Sequence, residues 1–354
     1  MRDSHGQISI IRNRTESYRS GWKYSAAKLL IISIPKHIGA MIFFIPEKCV
    51  SLLTRKKKMK KFKPIVHSMR LRTLPLSLAG VLLGLLLANT ASWPVFLLTL
   101  LTTVCLQILS NVSNELGDHL SGTDQEGRTG PAYSLQQGTL TERDLRRTIV
   151  VMAVLCTVFG TLMVWCSFGT LLSAPALSLL ALGAAAIAAA IRYTLGKKPY
   201  GYRGWGDLYV FLFFGLVSVM GGYYVAAHTL SPWLLLPASA VGCFSVGVLN
   251  VNNIRDMATD AGTRVTTPLR IGERNAKIYQ TALIVAGWLM LAVYLIAQAR
   301  TPWQWIGMVT LPLYVRHLAG VWRLRGQQLD RMLPLLVMST FVLALLTGLP
   351  GFSF

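Results

Sequence analysis

Asn111-Val-Ser-Asn-Glu-Leu-Gly-Asp-His-Leu-Ser-Gly-Thr-Asp124 follows an apolar run that is long enough to cross a membrane. Ionisable side chains are rare within such segments and usually mark function. Here Asn111, Glu115 and Asp118 are spaced i, i+4 and i+7, so they share one face of a helix. The stretch therefore predicts a membrane helix whose polar end presents a row of oxygen ligands.

A second stretch of the same kind, Asn252-Asn-Ile-Arg-Asp256-Met-Ala-Thr-Asp260, ends a later apolar run. Its Asn253, Asp256 and Asp260 are spaced i, i+3 and i+7, again on one helical face. Two acidic helix ends, far apart in the sequence, predict one shared metal site. Carboxylate and amide oxygens suit Mg²⁺, and Mg²⁺ in turn suits a diphosphate group.

The composition is that of a polytopic helical membrane protein. Of the 354 residues, 53% are hydrophobic and only 14% are charged, whereas soluble domains have about 25% charged residues. The five cysteines include no Cys-x-x-Cys pair, so the sequence supports neither a disulfide framework nor a zinc or iron–sulfur site.

The formal net charge of +21 is mostly a property of the N-terminal part. Residues 1–72 contain 17 basic and 3 acidic side chains, and the run Arg55-Lys-Lys-Lys-Met-Lys-Lys61 lies directly before the first apolar segment. A basic run in that place is typical of a cytoplasmic anchor beside anionic lipid. We therefore expect the partner of these charges to be the bilayer and not a nucleic acid.

Apolar segments of the required length predict an all-α bundle of nine transmembrane helices. The nine segments are 73–90, 93–116, 148–166, 169–191, 208–228, 232–253, 278–299, 303–322 and 332–350.

Charge alternates between the connections of these segments. The connections after the even-numbered segments are basic, while the opposite ones contain only Arg300. The positive-inside rule then predicts a multi-pass membrane protein with its N-terminus in the cytoplasm and its C-terminus outside, and in a bacterial cell this would be the inner membrane. All eleven acids after residue 73 fall on the cytoplasmic side. An ion-coupled transporter would keep ionisable groups near mid-span, so this layout favours an enzyme working at the inner interface.

Residues 1–58 form a basic N-terminal extension ahead of the nine-helix domain, 59–354. The apolar run Ala26–Pro46 is interrupted by Pro35, Lys36 and His37, which leaves pieces too short to span. Two interpretations fit the extension: an interfacial basic segment, or a translated upstream region with Met59 as the native start.

Five stretches, taken in order, resemble one family. They are Arg70-Leu-Arg-Thr-Leu-Pro75; Asn114-Glu-Leu-Gly-Asp118 through Gly130-Pro131 and Gln137-Gly138; Tyr193-Thr-Leu-Gly-Lys-Lys-Pro-Tyr-Gly-Tyr202 through Gly206-Asp207; Phe213-Phe-Gly215; and Asn252-Asn-Ile-Arg-Asp256 through Arg270-Ile-Gly272. The family is the UbiA-type membrane prenyltransferases, and within it the stretches most resemble the 1,4-dihydroxy-2-naphthoate polyprenyltransferases of menaquinone synthesis. The chain departs from the family at Glu115, where Asp is common, and at Leu71, where Pro is common.

The resemblance implies that a polyprenyl diphosphate and an aromatic acceptor are the substrates. The polyprenyl group would be joined to 1,4-dihydroxy-2-naphthoate with loss of carbon dioxide and diphosphate, giving demethylmenaquinone. Mg²⁺ would be held by Glu115, Asp118, Asp124, Asp256 and Asp260, with Asn114 and Asn253 completing or orienting the shell.

The resemblance also implies roles around that metal site. Arg128, Arg255 and Lys197 are candidates to hold phosphate oxygens, although cytoplasmic loops are basic for topological reasons alone. Tyr193 is a candidate to shield the allylic cation, as are Tyr209, Phe213, Phe214, Tyr223 and Tyr224, although aromatic side chains also belong at membrane interfaces. Asp207 is expected to align or deprotonate the acceptor.

Two alternatives stay open on the sequence. One is a UbiA-type enzyme with another acceptor, such as 4-hydroxybenzoate, and the other is a non-enzymatic membrane carrier of a prenylated lipid. Magnesium-dependent release of diphosphate separates the enzymes from the carrier.

Overall fold

The computed structural model describes residues 28–32, 41–45, 63–122, 134–135 and 137–351. The chain divides into two compact units, Met1–Pro64 and Ile65–Phe354. In the first unit, β1 (Lys28–Ile32) pairs antiparallel with β2 (Met41–Ile45). The rest of the predicted extension, and Met59, lie outside the described residues, as do Asp124 and Arg128.

The second unit is helical. Its α-helices are α1 (Leu74–Ala88), α2 (Trp93–Leu120), α3 (Glu142–Phe168), α4 (Ala174–Arg192), α5 (Gly206–Val210), α6 (Ser218–Ala227), α7 (Leu235–Arg255), α8 (Met257–Asp260), α9 (Thr267–Ile271), α10 (Glu273–Gln298), α11 (Leu311–Arg323) and α12 (Met332–Gly348). A π-helix, Phe211–Val217, joins α5 to α6, and 3-10 turns occupy Leu71–Thr73, Tyr200–Tyr202, Pro232–Leu234, Pro302–Thr310, Gly326–Arg331 and Leu349–Gly351.

The predicted all-α membrane fold is confirmed. Within the described part of the chain, eight helices are long and apolar enough to cross a membrane, and they correspond to all of the predicted segments except 303–322. That segment consists of the 3-10 turn Pro302–Thr310 followed directly by α11. Prolines at the start of each piece explain the division, because proline lacks the N–H that would continue the preceding helix. At rises of about 2.0 and 1.5 Å per residue, the two pieces together still reach about 37 Å.

The bundle places α1 and α7 at its centre and α4 at its periphery. An aromatic cluster fills the core beside α7: the ring of Phe244 lies 4.8 Å from that of Tyr314, which lies 5.2 Å from Trp288. Large rings in such contacts bury much apolar area and fix the helix positions. The acidic stretches end α2 and α7, so their positions are set by these packed helices.

Candidate active site

A cavity of about 100 Å³ opens between the polar ends of α2 and α7 and the segments 193–207 and 264–267. Five residues predicted for the site line it: Asn114, Asp118, Tyr193, Asp207 and Asn253. The polar and charged lining residues that the predictions did not assign to the site are Arg70, Thr194, Asn252, Arg264, Thr266 and Thr267. The two acidic stretches therefore meet at one cavity.

Asp118 is the central carboxylate of the first stretch. It is 3% exposed, and its Oδ1 accepts a hydrogen bond of 2.8 Å from the hydroxyl of Tyr202. Gly117 allows this arrangement, because a Cβ at that position would collide with Thr194. Thr194 in turn donates to the backbone oxygen of Ser113 at 2.9 Å. The segment after α4 is thus fastened directly onto the acidic end of α2.

Glu115 lies one turn before Asp118 and is fully buried. Its Oε1 accepts from the backbone N–H of Leu135 at 3.3 Å. Its Oε2 is buried with no hydrogen-bond partner in the described structure. A buried carboxylate oxygen without a donor is costly, so this atom is available to a cation.

Asp260 completes the second stretch, and Arg264 connects it to the first. The Nε of Arg264 lies 3.2 Å from Asp260 Oδ1, and its Nη2 lies 3.2 Å from Asp118 Oδ1. Burial alone would lower the pKa of the Arg264 guanidinium, but the two carboxylates outweigh this and raise its pKa. One cation therefore bridges the two acidic stretches.

Asp256 is held differently. Arg255 Nε and Nη2 donate to its two carboxylate oxygens at 2.8 and 2.7 Å, and Arg255 Nη1 bonds Asp330. Neither Arg255, 4% exposed, nor Asp256, 2% exposed, lines the cavity. In this arrangement the guanidinium predicted to bind phosphate is instead the partner of two carboxylates.

The remaining predicted cation, Lys197, is exposed on the loop after α4 and does not line the cavity. Tyr193, four residues earlier, does line it, and burial raises the pKa of its phenol to about 12.

Tyr193 begins a row of aromatic rings. Ring centroids are 5.3 Å apart for Tyr193 and Tyr200, 4.0 Å for Tyr200 and Tyr209, and 6.2 Å for Tyr209 and Phe213. The row leads from the cavity into the π-helix, whereas the predicted Tyr224 packs on Phe168 instead, at 5.9 Å.

Asp207 stands at the start of α5, on the cavity wall. Its Oδ2 accepts hydrogen bonds from Thr267 Oγ1 at 2.7 Å and from the Tyr279 hydroxyl at 3.3 Å. These two donors fix the direction of the carboxylate.

Arg264 and Thr267 both come from the region that follows α8. Residues 261–266, here called the bridging loop, run beside the Tyr200–Tyr202 turn, where Val265 N–H donates to the backbone oxygen of Tyr202 at 2.9 Å. One feature of the sequence could have pointed to Arg264 as a site residue: it follows Asp260 at i+4, the spacing at which opposite charges can pair in a helix. Its second partner, Asp118, depends on the folding of distant segments.

The donor set has a limit. Within the described ranges, no group of three or more His, Cys, Asp or Glu side chains is close enough to hold a metal ion. Asp118 and Asp260 instead face each other across a guanidinium, so they already share a positive charge.

The chain is similar in sequence to two bacterial proteins that share one name. A 1,4-dihydroxy-2-naphthoate octaprenyltransferase of Escherichia coli is 39% identical over 265 residues, 73% of this chain and 84% of that protein. The Haemophilus influenzae protein of the same name is 34% identical, over 81% of this chain and 95% of its own.

A solved structure of a UbiA homolog from Archaeoglobus fulgidus, bound to DMAPP and Mg²⁺, superposes with a TM-score of 0.54 at 14% identity. The match covers 81% of this chain and 99% of that one, and it shows a common fold. The model of the UbiA prenyltransferase family matches residues 77–346. The chain therefore belongs to the UbiA prenyltransferase family.

Proposed function

We propose that this chain transfers a polyprenyl group from a polyprenyl diphosphate to 1,4-dihydroxy-2-naphthoate, with loss of carbon dioxide and diphosphate, to give demethylmenaquinone. The structural observation that carries the proposal is the meeting of Asp118 and Asp260 on one cation at the cavity. The acceptor follows from the names of relatives that are 34–39% identical over most of their length.

The acids around the cavity have the chemistry that a divalent cation prefers, although no three of the described ones are close enough together here to hold it. Asp118 and Asp260 are buried carboxylates that already share positive charge, and Glu115 Oε2 has no other partner. Hard oxygen donors of this kind are those that Mg²⁺ prefers. Asp118 and Asp260 would hold it first, and Glu115, three residues before Asp118, and Asp124, six residues after it, are the acids that would complete the ligand set. Mg²⁺ bound there would neutralise the charge that develops on the leaving diphosphate.

The chain's own cations and amides would bind the diphosphate. Arg70 and Arg264 put guanidinium groups on the cavity wall, and Asn114 and Asn253 add amide groups. A guanidinium matches phosphate oxygens with two parallel N–H donors. Lys197 would reach the same oxygens as a flexible point charge from its exposed loop.

The aromatic row would receive the allylic group. Tyr193 lies on the cavity wall, and the row continues through Tyr209 to Phe213. Ring faces attract a cation, and an apolar enclosure keeps water from it. The prenyl chain would extend along this row towards the lipid.

Asp207 would orient the acceptor and accept a proton from its hydroxyl. The carboxylate lies on the same cavity and is fixed by Thr267 and Tyr279. A base must lie within hydrogen-bond reach of the proton that it takes. The bridging loop thus supplies Arg264 for the part of the cavity that would bind the prenyl donor, here called the donor half. Helix α9 supplies Thr267, which holds Asp207 in the part that would bind the acceptor.

The charge pattern supports an inner-membrane enzyme whose N-terminus and acidic stretches face the cytoplasm. Both substrates would then meet at the inner interface, with the diphosphate in water and the prenyl chain in the bundle.

Acceptor choice is the test of this proposal. Purified protein with Mg²⁺ and a long-chain polyprenyl diphosphate is given either 1,4-dihydroxy-2-naphthoate or 4-hydroxybenzoate, and the lipid extract is analysed by mass spectrometry. We expect a decarboxylated prenyl naphthoquinol from the first acceptor and no product from the second. A prenylated 4-hydroxybenzoate would move the chain to another acceptor class. The absence of any magnesium-dependent product would favour a carrier.

A further inference from the structure

Arg264 occupies the space between the two acidic stretches, where a shared metal ion would also have to lie. It contacts one oxygen of Asp118 and one oxygen of Asp260, each at 3.2 Å. We propose that Arg264 is an exchangeable counter-ion: it neutralises these carboxylates before ligands bind, yields them to Mg²⁺, and transfers its guanidinium to the incoming diphosphate. This inference rests on the proposed function.

The need for a counter-ion follows from burial. The Asp118 and Asp260 side chains are 5% and 7% exposed. Two carboxylates withdrawn from water in the same place repel each other and lose hydration. A positive charge between them removes most of that cost, so the folded site can exist without a metal.

A second buried ion pair, Arg255 with Asp256, is an example of an arginine held rigidly by its carboxylate partner. Arg255 forms a two-pronged pair with Asp256, at 2.8 and 2.7 Å to its two oxygens, and lies away from the cavity. Arg264 instead donates one hydrogen bond to Asp118 at 3.2 Å, has only an ion contact of 3.2 Å with Asp260, and lies on the cavity wall. Its contacts are therefore easier to exchange.

The surroundings of Arg264 allow it to move. It belongs to the bridging loop and lies on the wall of the cavity, so its side chain has open space into which it can turn. The Arg264 Cζ lies 5.2 Å from the centre of the Tyr202 ring, whose hydroxyl donates to Asp118. A ring face stabilises a guanidinium that has left its carboxylates, and Tyr202 continues to hold Asp118.

Charge balance makes the exchange depend on both ligands. A metal ion alone must compete with Arg264 for the carboxylates, whereas a diphosphate offers the displaced guanidinium a new anionic partner. Metal and diphosphate should therefore strengthen each other's binding, and part of this coupling passes through Arg264.

The experiment uses the purified full chain in detergent micelles. Binding of Mn²⁺ alone is measured from the electron paramagnetic resonance signal of the free ion, and binding of radiolabelled geranyl diphosphate is measured at saturating Mg²⁺. We expect Arg264→Gln to bind Mn²⁺ about tenfold more tightly, because the competing cation is gone, and to bind geranyl diphosphate about tenfold more weakly. Opposite shifts from one substitution are not expected of general damage to the fold.

Two further variants complete the design. Arg264→Lys keeps the charge without the planar fork, so Mn²⁺ affinity should stay near the wild-type value while geranyl diphosphate affinity falls. Arg274→Gln removes an exposed arginine of α10 that is absent from the cavity wall, and should change neither.

The outcomes separate this inference from the proposed function. If the wild type binds geranyl diphosphate and Arg264→Gln gains no affinity for Mn²⁺, the exchange is wrong and the function stands. If Arg264→Gln does not fold, an Arg264→Lys variant that matches the wild type in geranyl diphosphate affinity overturns the inference, and one that binds it more weakly supports it. If the wild type itself binds no geranyl diphosphate with Mg²⁺, the proposed function fails.

Discussion

Asp118 at the end of α2 and Asp260 at the end of α8 each lie 3.2 Å from the same guanidinium, that of Arg264. The sequence predicted that their two stretches share one site, but not that an arginine lies between them. Their meeting means that substitutions in two separate stretches should have the same functional effect.

Arg255 gives a prediction that separates positioning from substrate binding. Arg255→Gln should lower the stability of the protein by roughly 3 kcal/mol, because it leaves Asp256 buried without its cation. The measurement is thermal unfolding in detergent, together with KM for the prenyl diphosphate. An unchanged unfolding temperature with a raised KM would instead support the phosphate-binding role predicted from the sequence.

Asp207 should matter for the acceptor and not for the donor. Asp207→Asn keeps the size of the side chain but cannot take a proton, so we expect kcat to fall by about 10²-fold or more. Affinity for the prenyl diphosphate should stay near the wild-type value in equilibrium binding. Equal loss of donor binding would place Asp207 in the donor half of the cavity.

Tyr193 should act through its ring. Because burial raises the pKa of the Tyr193 phenol to about 12, it remains protonated at pH 10, where an ordinary tyrosine is half ionised. Tyr193→Phe should therefore keep the wild-type pH profile up to pH 10 and most of the activity, while Tyr193→Leu should lose at least about fivefold in kcat. Matching activity of the Phe and Leu variants would contradict the ring's proposed role.

The extension is expected to be dispensable. A chain that starts at Met59 keeps Lys60, Lys61, Lys63, Arg70 and Arg72 before the first span, which is sufficient charge to hold that end in the cytoplasm. Its level in membranes and its turnover should equal those of the full chain. Failure of the shorter chain alone to accumulate would give residues 1–58 a structural role.

The sequence predicted the membrane fold well because hydropathy and helical period are local properties. It did not foresee the division of 303–322 into a 3-10 turn and α11, since the hydropathy of a segment does not show where one kind of helix gives way to another. It grouped Asn111 with Glu115 and Asp118 on one helical face, yet Asn111 Nδ2 donates to the backbone oxygen of Met69 at 2.9 Å. At the level of Asn111, α2 packs against the bend that contains Met69, just before α1. The Asn111 side-chain amide is therefore used to hold that bend.

The position of a residue at the cavity was predictable where it follows from the residue's own helix, as for Asp118 and Asn253. It was not predictable where the partner comes from elsewhere. Arg255 is adjacent to the acidic stretch, but its position depends on Asp330, 75 residues away. Arg264 could be identified as a site residue only from the structure, in which the bridging loop lies beside the end of α2 and brings Arg264 to Asp118.

The central claim is that the two acidic stretches form one magnesium and diphosphate site, and the most direct measurement is calorimetric titration of geranyl diphosphate, with Mg²⁺ present, into four purified proteins. These are the wild type, Asp118→Asn, Asp260→Asn and the control Glu142→Gln, which alters a half-exposed carboxylate that pairs with Arg146 at the surface. The account predicts magnesium-dependent binding by the wild type and the control, and its loss in both Asp variants, with all four proteins inserted in the membrane at equal levels. Wild-type affinity in either Asp variant would contradict a single shared site.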